Sequence, residues 1–317
     1  MDRTFTYHIT PEESGRTITQ FLRPLGYSRH ILTQLKQTEG GILLNGKPAF
    51  TNVSLKAGDV LTIFLKEQPS SENIPPAPVP FSLAYEDQDL LVVNKPADTP
   101  IHPSINNHLN TLANGMAFRC AAAGEPFVYR CINRLDRDTT GLLILARHAL
   151  SGAILSGQMR RRQIHRTYLA IVKGNPGSGT VTAPIGRVPG SLVERRIDFA
   201  EGEPATTHFQ TLCSGGGHAL VSLQLETGRT HQIRVHMGYL GCPLIGDYLY
   251  FPDRSLMGRQ ALHSWKLEFS HPITGEPLSF AAPLPEDMRR ALASLSLDWP
   301  MAEKKTALVI SLLALKK

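Results

Sequence analysis

Tyr129-Arg130-Cys131-Ile132-Asn133-Arg134-Leu135-Asp136-Arg137-Asp138-Thr139-Thr140-Gly141 runs straight into Leu142-Leu143-Ile144-Leu145-Ala146-Arg147. The apolar run after the glycine reads as a strand covered on both faces. The polar segment before it must then emerge at the edge of a rigid core, where loops carry functional groups on a fixed scaffold. Within that segment Arg134 and Arg137 flank Asp136, which makes this carboxylate the candidate centre of the chain. An isolated Asp would more commonly be a solvated turn residue, so the remaining sequence has to decide.

The second informative stretch is Thr227-Gly228-Arg229-Thr230-His231-Gln232-Ile233-Arg234-Val235-His236. Thr230 is placed to cap a helix whose Ile233, Met237 and Leu240 are spaced for burial and which Gly241 closes. His231 and His236 are five apart and fall on different sides of such a helix, so a zinc pair at four-residue spacing is absent. Arg234 lies beside the apolar stripe, and a partly buried Arg needs a carboxylate, for which Asp136 is the natural candidate. Between the two stretches, a helix over residues 149–159 ends in Arg160-Arg161-Arg162 and leads to Arg166-Thr167-Tyr168, which opens a β-rich strand. The arginines suit a helix C-terminus and would equally neutralise phosphates. Residues 195–212 and 218–226 alternate as strands with one covered face, joined by Gly215-Gly216-Gly217; this turn links two strands and does not sit between a strand and a helix, so it is no phosphate loop.

Upstream, residues 14–66 read as two helices followed by strands, the core of a small domain over residues 1–66. Ile18, Phe21, Leu22 and Leu25 mark the first helix, ended by Gly26. Ser28 caps the second, with Ile31, Leu32 and Leu35 inward and Arg29 and Lys36 outward. Asn45-Gly46 signals a hairpin that Lys47 leaves. Residues 67–80 hold five prolines and two serines, the composition of an extended tether. A larger domain follows over 81–300, and the tail 301–317 carries an apolar run too short to span a bilayer.

Composition sets bounds on this picture. With 317 residues, 42% hydrophobic and 19% charged, the chain can form two globular domains. A net charge of +6 permits a polyanionic partner without requiring one. The four cysteines have no paired short spacing, which argues against a disulfide scaffold or structural zinc and suits a reducing cytoplasm. Met1-Asp2-Arg3-Thr4 begins no signal peptide, and no run approaches membrane-spanning length.

Asn133 to Gly141 resembles the signature of the RluA family of pseudouridine synthases, enzymes of large-subunit ribosomal RNA and some transfer RNAs. The family pattern is His-Arg-Leu-Asp, two variable residues, Thr-Ser-Gly; the chain departs from it at Asn133 and Thr140 and keeps the Asp and the Arg. Lys95-Pro96 and His102-Pro103, Arg166-Thr167-Tyr168, the Thr227–His236 block, Pro243 to Asp247, and Ala261-Leu262-His263 continue the likeness. Ser28-Arg29, Asn45-Gly46-Lys47 and Gly58-Asp59 are similar to the RNA-binding domain named after ribosomal small-subunit protein four. The resemblance implies an α+β fold, a mixed, mainly antiparallel sheet with a central cleft, plus the small N-terminal domain. It further implies Asp136 as catalytic, Arg234 as its partner, Tyr168 over the target base, Arg134 filling the space that base vacates, and Leu262 against the target. Lys95 and His102 would support the site, and Arg29 and Lys47 would face RNA. The expected substrate is structured RNA, ribosomal before transfer RNA, for a cytoplasmic monomer with no cofactor or metal. Two other classes stay open: a non-catalytic ribosome-assembly factor, and an RNA glycosylase.

Overall fold

The structure, a computed structural model, describes residues 2–67, 71, 73–104 and 107–297. The expected tail, 301–317, lies outside them. The first sheet opens with a strand that precedes the anticipated helices. β1 (Arg3–His8) pairs antiparallel with β4 (Val60–Leu65), and β4 with β2 (Ile42–Leu44), whose hairpin partner is β3 (Lys47–Pro48). Asn45 and Gly46 both take positive φ, 53° and 77°, as a two-residue turn of this hand requires. Helices α1 (Ile18–Leu22) and α2 (Arg29–Gln37) bury Ile18, Phe21, Leu22, Ile31, Leu32 and Leu35 with Leu61 and Ile63 of β4. The Ser28 hydroxyl caps α2 by accepting from Ile31 N. Leu25 does not join this core: α1 stops at Leu22, and the turn that follows leaves Leu25 39% exposed.

Residues from Ser82 onward build a nine-stranded sheet. Its strands are β5 (Ser82–Glu86), β6 (Leu90–Lys95), β7 (Thr140–Ala146), β8 (His165–Lys173), β9 (Ser178–Thr182), β12 (Thr206–Gly215), β13 (His218–Leu225), β14 (Leu262–Ser270) and β15 (Pro277–Ala281). They lie in the order β5-β6-β7-β14-β8-β13-β12-β9, with β15 beside β14. β10 (Ile185–Arg187) and β11 (Arg195–Ile197) form a separate ribbon, so the expected single strand over 195–212 is broken by turns around Asp198. Helices α3 (Leu112–Ala123), α4 (Ala149–Arg160), α5 (Gln232–Tyr239) and α6 (Glu286–Ser294) complete the fold. It is an α+β protein with a mixed, mainly antiparallel sheet, and no helix among the described residues is long and apolar enough to cross a membrane.

Every residue of β7 is buried, as its unbroken apolar run requires. Among the described residues its one parallel neighbour is β14, where Thr140 and Gly141 face His263 and Ser264. Gly141 has φ 107°, and a Cβ there would lie 2.2 Å from the Ser264 carbonyl oxygen. Gly141→Ala is therefore expected to lose about 3 kcal/mol or more of stability, from a disfavoured φ and the forced separation of two central strands. Chemical denaturation would measure it, and a wild-type midpoint would refute the close approach.

The proline-rich stretch does not run free. Ala77 N donates to the Asn114 carbonyl, Asn114 donates to the Pro75 carbonyl, and Val79 lies against Gly115 of α3. The N-terminal core also takes in Leu150 of α4, 1% exposed. Buried Glu67 binds Arg130 and the Ala149 N–H, and Arg3 forms a two-nitrogen pair with Asp89. Burial disfavours the Asp89 carboxylate, but hydrogen bonds from His148 and Arg3 outweigh it and hold its pKa down at about 2. Its ionised form is thus stabilised in the fold, contributing about 2 kcal/mol above pH 4. That contribution is lost as pH falls from about 4 to about 2. Urea midpoints across this window should drop less in Asp89→Asn than in wild type; equal slopes would contradict the assignment. Asp87, Asp89 and His271 approach one another closely. The His271 ring accepts two backbone N–H groups at Nδ1 and donates to Asp87 from Nε2, which leaves no lone pair for a metal.

Candidate active site

A cleft of about 490 Å³ opens between the 131–139 loop and α5, and Arg134, Asp136, Tyr168, Arg234 and Leu262 all line it. Five positions separated by up to 128 residues in sequence thus meet on one wall system, because β7, β8 and β14 are neighbours at the centre of the sheet.

The loop that presents Asp136 is held from below. Ile132 N donates to the Ile144 carbonyl and Ala146 N to that of Arg130, so the loop's entry runs alongside β7. Asn133, standing where the family uses His, accepts from Ile144 N at 3.0 Å through its side-chain oxygen. Thr139 N donates to the Asp136 carbonyl and closes the turn. Two cations grip the next carbonyls: Lys95 Nζ donates to Arg137 O at 2.7 Å, and Arg259 Nη1 to Asp138 O at 2.9 Å. Lys95 is 1% exposed and does not reach the cleft; burial pushes its amine down to about 7, partly countered by Asp138. It fastens the loop rather than touching what the cleft holds. His102 also stands off the cleft wall, with its ring edge-on to Tyr129. Burial and the charge of Arg134 lower its pKa.

Arg234 is 2% exposed and meets two carboxylates. Its Nε and Nη2 donate to Asp247 at 2.7 Å each, and its Nη1 donates to Asp136 at 3.2 Å. The anticipated Arg234–Asp136 pair is present, but Asp247 is the closer, two-pronged partner. Burial works against the guanidinium, and the Asp247 and Asp136 charges overcome this and leave its pKa above the ordinary value. Asp247 itself is 1% exposed and accepts further bonds from Leu249 N and Tyr250 N. The Arg234 guanidinium also lies over the Tyr250 ring, 4.9 Å from its centre.

Helix α5 does not begin at a Thr230 cap. His231 occupies the N-cap position with φ 57°, in the left-handed region, and Gln232 instead accepts from Arg229 N through its side chain. Leu240 is 37% exposed rather than buried, while Ile233 and Met237 are in the core. The left-handed turn aims the His231 ring across the cleft: Nδ1 meets the Tyr250 hydroxyl at 2.8 Å and Nε2 faces Asp136 at 3.8 Å. Burial lowers the His231 pKa, with Asp136 acting the other way.

Tyr168 is 4% exposed, packed in the main core with one side on the cleft, and burial raises its pKa. Leu262, from the start of β14, completes the wall, and Arg134 is exposed at its rim. Arg29 and Lys47 are exposed on the N-terminal unit and lie outside this cleft. Asp247, Tyr250, His231 and Arg259 were not foreseen as site residues. Asp247 stood in a recognised stretch, but no spacing rule shows that it pairs with an Arg thirteen positions earlier.

Residues 89–239 match the RNA pseudouridylate synthase family model. The chain is 41% identical over 278 residues to the uncharacterized RNA pseudouridine synthase YjbO of Bacillus subtilis (strain 168), covering 87% of this chain and 98% of that one. The chain belongs to the RluA family of RNA pseudouridine synthases. This synthase is also 38% identical to ribosomal large subunit pseudouridine synthase D of Vibrio vulnificus (strain CMCP6), over 92% of the chain and 95% of that protein. Among solved structures, human RNA pseudouridylate synthase domain containing 4 matches with a TM-score of 0.57 and 27% identity, over 69% of this chain and 94% of that one. The synthase is accordingly an isomerase acting on uridine in RNA, and the pseudouridine synthase fold expected from its motifs is the one observed.

Proposed function

We propose that this synthase isomerises uridine in structured 23S ribosomal RNA, with Asp136 as the catalytic residue. The observation that carries the role is the Asp136 carboxylate itself, on the cleft wall and tied to a buried Arg234 whose other face is locked by Asp247. Such a carboxylate is fixed in direction before substrate arrives, as preorganised electrostatics require. Likeness to large-subunit synthases supports ribosomal RNA. Transfer RNA is the alternative target.

The uridine has to leave its stack to enter the cleft, and Arg134 at the rim fills the space it vacates. Asp136 acts at the ribose carbon as the bond to uracil nitrogen 1 breaks. The ring turns, carbon 5 bonds to the same ribose carbon, carbon 5 loses its proton, and nitrogen 1 gains one. Atoms are conserved and nothing is oxidised, so no group has to be carried in. Tyr168 stacks on the uracil and Leu262 packs beside it. The protein works as a cytoplasmic monomer.

Arg29 and Lys47 supply phosphate contacts away from the chemistry. Arg29→Glu with Lys47→Glu should weaken binding to ribosomal RNA several-fold and flatten its salt dependence by about two counterions, while the maximal single-turnover rate holds. Filter binding at several salt concentrations checks this, and an unaltered slope would refute it. The target is tested by mapping pseudouridine across all RNAs in cells with and without the gene. Loss of signal at one or a few 23S positions is expected. Loss confined to transfer RNA would move the substrate there, and no loss anywhere would refute the reading.

A further inference from the structure

Arg166, on β8 two residues before Tyr168, is a charge without a counterpart. It is 8% exposed and lines the cleft, yet it makes no ion pair among the described residues. Its Nε is buried without a hydrogen-bond partner, its Nη2 reaches the Thr227 carbonyl at a long 3.4 Å, and its other polar neighbour is the Tyr168 hydroxyl, which carries no charge to balance it. Buried guanidinium groups are costly unless paired and fully hydrogen-bonded. The nearby cleft carboxylates are already engaged, Glu226 by Arg162 and His208, Asp136 by Arg234. The backbone opposite is cleared for the group: a Cβ on Gly228 would lie 3.2 Å from Arg166 Nη1. An Arg set against a glycine turn, on a cleft wall and with no carboxylate to balance its charge, is built to receive an anion.

We propose that Arg166 binds a phosphodiester of the substrate strand, one of the two that adjoin the target uridine. The inference rests on the RNA reading above and adds the group that anchors the strand inside the cleft. A uracil carbonyl could accept a hydrogen bond from the guanidinium but would leave the charge uncompensated. A phosphate accepts and also balances the charge, and its oxygens suit the forked guanidinium. With the strand fastened beside Tyr168, the ribose stays opposite Asp136 while the base turns. This is a binding role; the bond-breaking step belongs to Asp136.

The test uses an RNA stem-loop carrying the target uridine found by the mapping. One linkage, 5′ or 3′ of that uridine, is made a neutral methylphosphonate, with 2′-deoxyribose at that position and a matched 2′-deoxy phosphodiester control. Affinity is measured for wild type, Arg166→Gln and Arg166→Lys. One of the two neutral linkages should weaken wild-type binding roughly ten- to a hundredfold, the worth of a charge-assisted contact. Arg166→Gln should lose about as much on the control and little more with that linkage, and Arg166→Lys should recover part. If neither linkage affects wild type, or if the losses from Gln and from the linkage multiply, the proposal is overturned. The wild-type comparison stands alone should Arg166→Gln fail to fold. A failure of the RNA reading would show differently, as no pseudouridine made in the unmodified stem-loop.

Discussion

Asp136→Asn should abolish pseudouridine formation while RNA affinity stays within a few-fold of wild type. The amide keeps the shape of the carboxylate and its place on the loop, since Thr139 N, Lys95 and Arg259 hold the loop by backbone carbonyls rather than by this side chain. On the proposed role, what it removes is negative charge facing the ribose carbon as the glycosidic bond opens. Preorganised charge of this kind contributes on the order of a hundredfold or more to rate, and a group that also bonded the sugar covalently would contribute further. Affinity should survive because it rests mainly on contacts to phosphates elsewhere. Arg234→Ala should reproduce part of the loss by freeing the carboxylate to turn. Single-turnover assays with saturating enzyme give the answer, and a near-normal rate in Asp136→Asn would show that this carboxylate is not the catalytic group.

Asp247→Asn should be the most damaging change outside the cleft wall. Asp247 and Arg234 form a buried pair joined by two hydrogen bonds of 2.7 Å. Replacing one carboxylate oxygen by an NH₂ group sets donor against donor and leaves a buried guanidinium half-paired. Breaking a buried pair in this way costs about 3–5 kcal/mol. The functional effect follows from the structural one. Asp136 becomes the remaining full negative charge for Arg234, and a shift of the carboxylate by about 1 Å can cost on the order of a hundredfold in rate. Denaturation midpoints and single-turnover rates should therefore fall together, with a larger rate defect than Tyr168→Phe if the tyrosine hydroxyl takes no proton. Wild-type values for both would mean that Asp247 does not orient the site.

The passage from Tyr129 to Arg147 was legible for a physical reason: a strand covered on both faces has no polar position to disguise it, and β7 is buried throughout. The hairpin at Asn45-Gly46 and the cap at Ser28 were legible because each depends on local backbone chemistry alone. Three features were not. The start of α5 is fixed by His231 reaching Tyr250 and by Gln232 folding back on Arg229 N, contacts that displace the local preference of Thr230 for a cap. The choice of Asp247 as the principal partner of Arg234 depends on where the chain returns after the helix, which no periodicity encodes. The proline-rich stretch has the composition of a tether, yet its backbone groups find partners on α3, and composition cannot show what a segment lies against.

The most direct measurement is nucleoside analysis of 23S ribosomal RNA taken from cells lacking the gene, before and after incubation with the purified synthase. Pseudouridine should appear at the expense of uridine at defined positions, with the RNA mass unchanged and no uracil released. Free uracil with an abasic site would instead assign the cleft to base removal, and RNA that is bound but unaltered would make the protein an assembly factor; either result would contradict isomerisation at Asp136.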